Sequence, residues 1–269
     1  MKIGTTSFGF RYLLLDPALA PSLESVVDRT RRFSLNVLQV CENARPMELP
    51  DTAWRQVVRR AEEREIELQL GCKTTCPAVF KRYLERAAEL PSRLLRLVFE
   101  EEEGAPPSRG AVDRFLEAVW PELESAGVRL AIENHFDVPC RVLAGAVAPY
   151  PAARLGFCVD TANSLRNFES PEIVLDLLGS RAFCCHLKDF RVDGDKLGFR
   201  VSGARLGEGQ LDLDGLLRRI FMQDPDPLIL IENWVPTSGD RETDISEDDA
   251  WLRAGVEVLR SRMAAMGFA

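Results

Sequence analysis

The chain is poor in histidine, with His135 and His186 its only two among 269 residues. A metal centre built from many imidazoles is therefore excluded. Long apolar runs are missing as well. None approaches the roughly 20 residues needed to cross a bilayer, and MKIGTTSF at the N-terminus reads as a strand rather than a leader. The expected location is the cytoplasm, with no membrane partner. Seven cysteines include no CxxC pair, so they read as reduced thiols filling the core and not as a zinc cluster. Positive charge is in deficit, leaving a net charge of −8, which argues against a nucleic-acid partner. No GxGxxG follows the first strand-like segment, which removes the main support for a doubly wound nucleotide-binding sheet. Low-complexity segments and linkers are absent too, so one domain over 1–269 is expected. Self-association as a homo-oligomer is left open.

What is present is a hydrophobic content of 46%, laid out in short, evenly spaced pieces. KIGTTS (2–7), NVLQVCE (36–42), IELQLGC (66–72), LLRLVF (94–99), VRLAIE (128–133), LGFCVD (155–160), AFCCHLK (182–188) and LILIE (228–232) each read as a buried strand. Helix-like stretches lie between them. In 51–65 Asp51 is placed to cap; in 108–127 Pro121 should kink or interrupt the helix and Gly127 should end it. Asp212 or Asp214 should cap the helix after LGEGQLD, and a last helix is expected over 246–266. Strands and helices alternating eight times predict an α/β fold, a (β/α)8 TIM barrel. The connections 13–22 and 189–212 are the longest, and should lie above the C-terminal mouth, where barrel enzymes carry their chemistry.

Side chains alternate along a strand. That rule puts Ala131 with Glu133, Gly156 and Cys158 with Asp160, Cys184 with His186 and Lys188, and Leu230 with Glu232. The opposite faces, such as Leu130 with Ile132 and Phe157 with Val159, are apolar and suit packing against helices. Cys184 should face inward and Cys185 outward. Glu133, Asp160, His186 and Glu232 would then converge from four consecutive strands. Three carboxylates at one point repel and raise each other's pKa unless a cation neutralises them. Three oxygens and one imidazole suit a divalent ion such as Mn²⁺, Mg²⁺ or Co²⁺ better than a closed zinc site. For any one acid, a strand end facing water is the plainer reading; four at matching positions favour the metal site.

IENH (132–135), CVDTAN (158–163), CHLKD (185–189) and IEN (231–233), with LGEGQLD (206–212) between the last two, resemble the xylose-isomerase-like TIM barrels. Within them the likeness is to sugar isomerases and epimerases of the tagatose-epimerase and inosose-dehydratase type. The resemblance implies one divalent ion, Mn²⁺ first with Mg²⁺, Co²⁺ or Zn²⁺ as alternatives, held by Glu133, Asp160, His186 and Glu232. It further implies that Glu133 and Glu232 act as an acid/base pair on a small keto-sugar or sugar-acid derivative, through a metal-stabilised enediolate. Apurinic endonucleases of the same superfamily use several more histidines, and Asn163 stands where they carry one, so a three-metal site is not expected. Many members also have a histidine after the fourth strand, where this chain reads LVFEEEEG (97–104).

Loss of CO₂ from a 3-oxo sugar acid, of the 3-oxo-isoapionate type, passes through the same enediolate, and some similar barrels are decarboxylases of this kind. Isomerisation or epimerisation is the first expectation, decarboxylation the second, dehydration of a polyol ketone the third and a non-catalytic sugar-binding barrel the last. Lys73, Lys188, Arg191 and Arg205 are the cations placed near the mouth, where a substrate carboxylate would need one. His135 and Trp234 each stand two residues after a glutamate and are candidate substrate contacts. The Asn after each glutamate should point away from the site. Glu100 could reach the mouth, whereas the run to Glu103 reads as a solvated loop.

Overall fold

The computed structural model describes residues 2–15, 21–100 and 106–268. Eight parallel strands close on themselves: β1 (Lys2–Thr6), β2 (Val37–Val40), β3 (Glu67–Lys73), β4 (Leu94–Val98), β5 (Arg129–Glu133), β6 (Leu155–Asp160), β7 (Ala182–Leu187) and β10 (Leu228–Ile231). Their cyclic order follows the chain, and β10 pairs with β1 to shut the barrel, Ile229 beside Ile3 and Ile231 beside Thr5. Closure leaves no sheet edge, so every strand can be buried on both sides.

The helices are α1 (Arg11–Leu14), α2 (Leu23–Arg32), α3 (Asp51–Glu63), α4 (Pro77–Ala88), α5 (Arg109–Ala126), α6 (Cys140–Val147), α7 (Pro171–Leu178), α8 (Leu213–Gln223) and α9 (Arg241–Met266). Side-chain caps start several of them, with Ser108, Ser170, Asp212 and Asp240 each accepting an amide of the first turn. Asp51 does not cap: Pro50 holds the cap position and Asp51 is the first helical residue, where its charge still favours the helix dipole. Pro121 does not interrupt α5. Val112, Phe115, Leu116, Val119 and Leu123 form one buried stripe on both sides of it, and that packing holds the helix continuous. Gly127 ends the helix at φ 65°, as its sequence position implies. The last helix begins at Arg241, five residues before the expected start, because Asp240 caps it and acidic residues fill its first turn. Among the described residues no helix is long and apolar enough to cross a membrane.

The core has two layers. Small residues fill the barrel interior, where Ala131, Cys158 and Cys184 meet Leu94. Cys185, Ile132, Phe157, Val159, Ile229 and Ile231 face the helical ring in the larger cluster. Each buried aliphatic or aromatic side chain there stabilises the fold by about 1.5–3 kcal/mol. The small interior leaves room at its C-terminal end for polar groups.

The long seventh connection is not an irregular loop. Its first part forms an antiparallel hairpin, β8 (Asp189–Asp195) with β9 (Gly198–Ala204). The Asp189 carboxylate ties down its base, accepting the amides of Gly207, Gly209 and Leu211. Gly203 lets the hairpin backbone meet the Trp234 carbonyl, a contact that a Cβ would block. Of the other long connection, residues 16–20 lie outside the described residues.

Candidate active site

Four strands deliver the donor set to one place. Glu133 ends β5, Asp160 ends β6, His186 lies one residue before the end of β7 and Glu232 follows β10, and all four are buried. His186 Nδ1 stands 3.3 Å from Glu133 Oε2, 3.4 Å from Glu232 Oε2 and 3.9 Å from Asp160 Oδ2. Its other nitrogen, Nε2, lies 3.0 Å from Gln39 Oε1 on β2. That contact gives Nε2 a proton to donate and turns Nδ1 toward the acids. Gln39 is itself held by Gln69 at 3.2 Å, and Gln69 by Glu67 at 2.9 Å.

The acids are positioned from behind. Asp160 Oδ1 accepts the amides of Ala162 and Asn163, both at 2.8 Å, which leaves Oδ2 pointing into the cluster. Thr6 of β1 donates to Glu232 Oε2 at 2.6 Å. Asn163 donates to Glu133 Oε1 at 2.8 Å, and Arg96 of β4 engages Glu133 Oε2 while reaching Glu42 at 3.0 Å. Lys188 Nζ sits between two acids, 2.8 Å from Asp160 Oδ2 and 2.6 Å from Glu232 Oε1.

The electrostatics follow from these pairings. Burial acts to raise the pKa of Glu133 and of Glu232. No single neighbour outweighs it, but Arg96 with His186 and Lys188 does so at Glu133, and Lys188 with His186 and Arg96 does so at Glu232, so both carboxylates stay below their usual range. Asp160 goes the other way: burial and the neighbouring Glu133 and Glu232 charges raise it against Lys188. Burial lowers the pKa of Lys188, but Asp160, Glu232 and Glu133 together outweigh it and raise it above the usual lysine range.

Among the described residues His186 Nδ1 is buried with no hydrogen-bond partner, and Asp160 Oδ2 has only its ion pair with Lys188. An imidazole nitrogen facing three carboxylate oxygens calls for a positive charge between them, a proton or a metal ion. Donor atoms of Glu133, Asp160 and His186 all lie within 4.8 Å of one another. These residues therefore fit a divalent cation, with Glu232 as a fourth donor. Cys158 and Cys184 form a second close group with His186. Burial pushes the Cys158 thiol up, which disfavours the thiolate a zinc site requires.

Above the cluster is a cavity of about 280 Å³, bordered by Lys73, His135, Lys188, Glu232 and Trp234 as the sequence implies. Glu100 borders it too, 3.3 Å from Lys73 and 2.6 Å from His135 Nδ1. The rest of that acidic run, 101–103, lies outside the described residues. Burial pushes the His135 imidazole down to about 3, against the pull of the carboxylates around it, so the ring faces the cavity neutral. Arg191 does not join the site: it stands exposed on the hairpin, donating to the Glu208 carbonyl at 3.0 Å. Arg205 pairs with Glu247 outside the cavity. A larger hollow of about 390 Å³ lies by the N-terminal ends of β1, β3 and β5, with Lys2, Glu67 and Arg129, but among the described residues no metal-donor group converges there.

The two glutamates are placed unequally. Glu232 opens onto the cavity, whereas Glu133 is not on its wall; Arg96 and Asn163, the two groups that hold it, are. The asparagines differ as well. Asn134 turns away as expected, bonding the backbone of Asp160 in both directions. Asn233 borders the cavity instead, with Nδ2 lacking a partner among the described residues. Sequence reasoning also passed over Thr6, Gln39 and Arg96. The signal for two of them was there: VLQV and LLRLV each set one large polar residue inside an apolar strand.

The family model for xylose isomerase-like TIM barrels matches residues 78–261. The chain belongs to this family. This xylose isomerase-like barrel is 28% identical over 265 residues to a 3-oxo-isoapionate decarboxylase of Pectobacterium atrosepticum, covering 97% of this chain and 96% of that protein. Its fold is similar to a xylose isomerase-like protein from Mycobacterium smegmatis in complex with magnesium, with a TM-score of 0.69, 10% identity and coverage of 96% and 97% of the two chains. It is equally similar to a D-psicose 3-epimerase with D-tagatose from Clostridium cellulolyticum H10, with a TM-score of 0.69, 13% identity and coverage of 98% and 99%. Kinship with such enzymes supports an enzymatic role for this xylose isomerase-like barrel in general.

Proposed function

We propose that this barrel is a divalent-metal-dependent decarboxylase of a small 3-oxo sugar acid. The observation that carries the reading is the unequal exposure of the two strand-end glutamates to the cavity. Epimerisation removes a proton from carbon on one face and returns it on the other, which asks for two carboxylates open to the substrate. Loss of CO₂ from a β-keto acid generates the carbanion by itself, so one proton delivery is enough. Only Glu232 of the pair is open, and it suits the second demand. Similarity to the decarboxylase relative over nearly the full length of both chains supports the same choice.

Glu133, Asp160, His186 and Glu232 would hold the ion, Mn²⁺ by preference or else Mg²⁺, Co²⁺ or Zn²⁺. When bound, it would polarise the substrate carbonyl and offset the negative charge that forms as the carbon–carbon bond breaks. Arg96 and Asn163 keep Glu133 ionised and fixed under the cavity floor. Lys188 Nζ, 2.6 Å from Glu232 Oε1, keeps a proton at the cavity edge, and this pair delivers it to carbon. Neutral His135 and the Trp234 ring flank the substrate and limit water. Lys73, tied to Glu100, orders the far wall.

The test is to offer the metal-loaded protein a 3-oxo sugar acid in D₂O. Stoichiometric CO₂ with one deuterium in the ketose product is the expected result. Deuterium washed into recovered substrate beside the carbonyl, without CO₂, would instead establish the isomerase or epimerase reading. Failure to retain any divalent metal after reconstitution would return the protein to a sugar-binding role.

A further inference from the structure

Four cations border the cavity, and three already face carboxylates. Lys73 faces Glu100, Arg96 faces Glu133 and Glu42, and Lys188 faces Asp160 and Glu232. Arg11 is the exception. It opens α1 just beyond the end of β1, its guanidinium lies 5.2 Å from the centre of the Tyr12 ring, and no hydrogen bond or ion pair engages it among the described residues. Asp244 and Asp248 lie near enough to feel its charge, but Thr237 and Ser238 take both Asp244 oxygens and the Tyr12 amide takes Asp248 Oδ2. A second donor on the same wall is also uncommitted, the Asn233 Nδ2. The two share a side of the barrel, because β1 and β10 are neighbours. Phe8 and Trp234 border the same cavity and supply apolar walls.

The net charge agrees. The pairs just named bring five carboxylates to this end of the barrel against four cations, Arg11 included. A divalent ion would turn that deficit of one positive charge into an excess of one. A site of this kind favours a singly charged anion, and a planar guanidinium beside a carboxamide offers parallel N–H donors to a carboxylate.

We propose that Arg11 and Asn233 form the subsite that grips the substrate carboxylate, making the barrel selective for sugar acids over neutral sugars of the same length. The inference rests on the decarboxylase reading for its choice of anion, but its binding test needs no turnover. It also carries a kinetic signature. The carboxylate loses its charge as CO₂ forms, so Arg11 holds the ground state at least as well as the transition state. Arg11 is then a specificity residue and not part of the bond-breaking machinery.

The experiment compares D-xylonate with xylitol, binding to the Mn²⁺-loaded protein by calorimetry. Wild-type protein should prefer the acid. Arg11→Met should weaken D-xylonate by about 10- to 100-fold, the usual range for a lost charge-assisted contact, and leave xylitol unchanged. Arg11→Lys should restore part of the preference, and Asn233→Ala should lose a smaller part. On a 3-oxo sugar acid, Arg11→Met should raise KM by a similar factor with kcat held or slightly increased. Arg11 is exposed, so this variant should keep the wild-type melting temperature, which is checked alongside. An unchanged preference for D-xylonate in a folded Arg11→Met or Asn233→Ala protein overturns the subsite, as does a fall in kcat at constant KM. If CO₂ is never released but the preference still depends on Arg11, the decarboxylase reading falls and the subsite stands.

Discussion

β5 and β10 lead into the same three residues, Ile-Glu-Asn, with a ring one position further on, yet the two ends are wired for different tasks. At the β5 end, Glu133 is clamped by Arg96 and Asn163 beneath the cavity, and Asn134 stitches β5 to β6. At the β10 end, Glu232 faces the cavity beside Lys188, and Asn233 keeps a free amide there. One phrase thus ends in a glutamate clamped away from the cavity and the other in a glutamate on its wall. The difference comes from the neighbouring strands: β4 brings a buried arginine to the first glutamate, and β1 brings only the Thr6 hydroxyl to the second.

The sharpest way to break this comparison is to neutralise each glutamate in turn. Glu232→Gln should cut turnover by roughly 1,000-fold or more, in the range for loss of a positioned acid/base group, with no recovery at high metal concentration. Glu133→Gln should also lower turnover, but chiefly through metal affinity, so that excess Mn²⁺ restores much of it. Metal titrations of activity in both variants check this, and equal behaviour would erase the proposed division of labour.

Arg96→Met tests the anchor directly. It leaves the Glu133 carboxylate buried without its cation, a loss of about 3–5 kcal/mol for broken buried pairs. Urea unfolding should show that loss in metal-free protein and a smaller one with saturating Mn²⁺. Lys188→Met probes the other end. Its ammonium stands between Asp160 and Glu232, where it competes with an incoming cation. Divalent affinity by calorimetry should therefore tighten by on the order of 10-fold, whereas turnover on the keto acid should fall. Weaker metal binding in this variant would show that Lys188 organises the donors and does not oppose the ion.

The smallest expected effect concerns the rings. His135 is held neutral down to about 3 in the folded protein, against an ordinary value of 6.5. An unfolded chain takes up that proton below pH 6.5 and the folded one does not, so this histidine's contribution to stability is complete above 6.5 and is lost as pH falls toward 3. His135→Gln should flatten the acid limb of the stability curve by about 1–2 kcal/mol, measured by denaturant unfolding at pH 5 and pH 8. With only two histidines in the chain, an NMR titration can also follow the ring directly; a midpoint near 6.5 would contradict its burial.

Much of this was legible in the sequence. Period-two alternation, read to the end of each strand, put Glu133, Asp160, His186 and Glu232 on inward faces, and it sorted Cys184 from Cys185. Local chemistry also foretold the Gly127 stop and the Asp212 cap. Arg191 misled because a basic residue in a long connection says nothing about which way that connection folds, and the hairpin carries it outward. Pro121 fails to interrupt α5 because helix propensity is weaker than a continuous buried stripe.

The chain by itself therefore determined the eight barrel strands, the barrel and which four side chains converge, since these depend on periodicity and on residues close in sequence; the hairpin β8–β9 was not legible in it. Tertiary structure alone decided how each donor is used. Thr6 meets Glu232 across 226 residues and Gln39 meets His186 across 147, contacts that exist only because the barrel closes and brings its first strands beside its last. The pairing of β4 with β5 seats Arg96 against one glutamate while the other stands on the cavity wall, and so gives two identical phrases unequal surroundings.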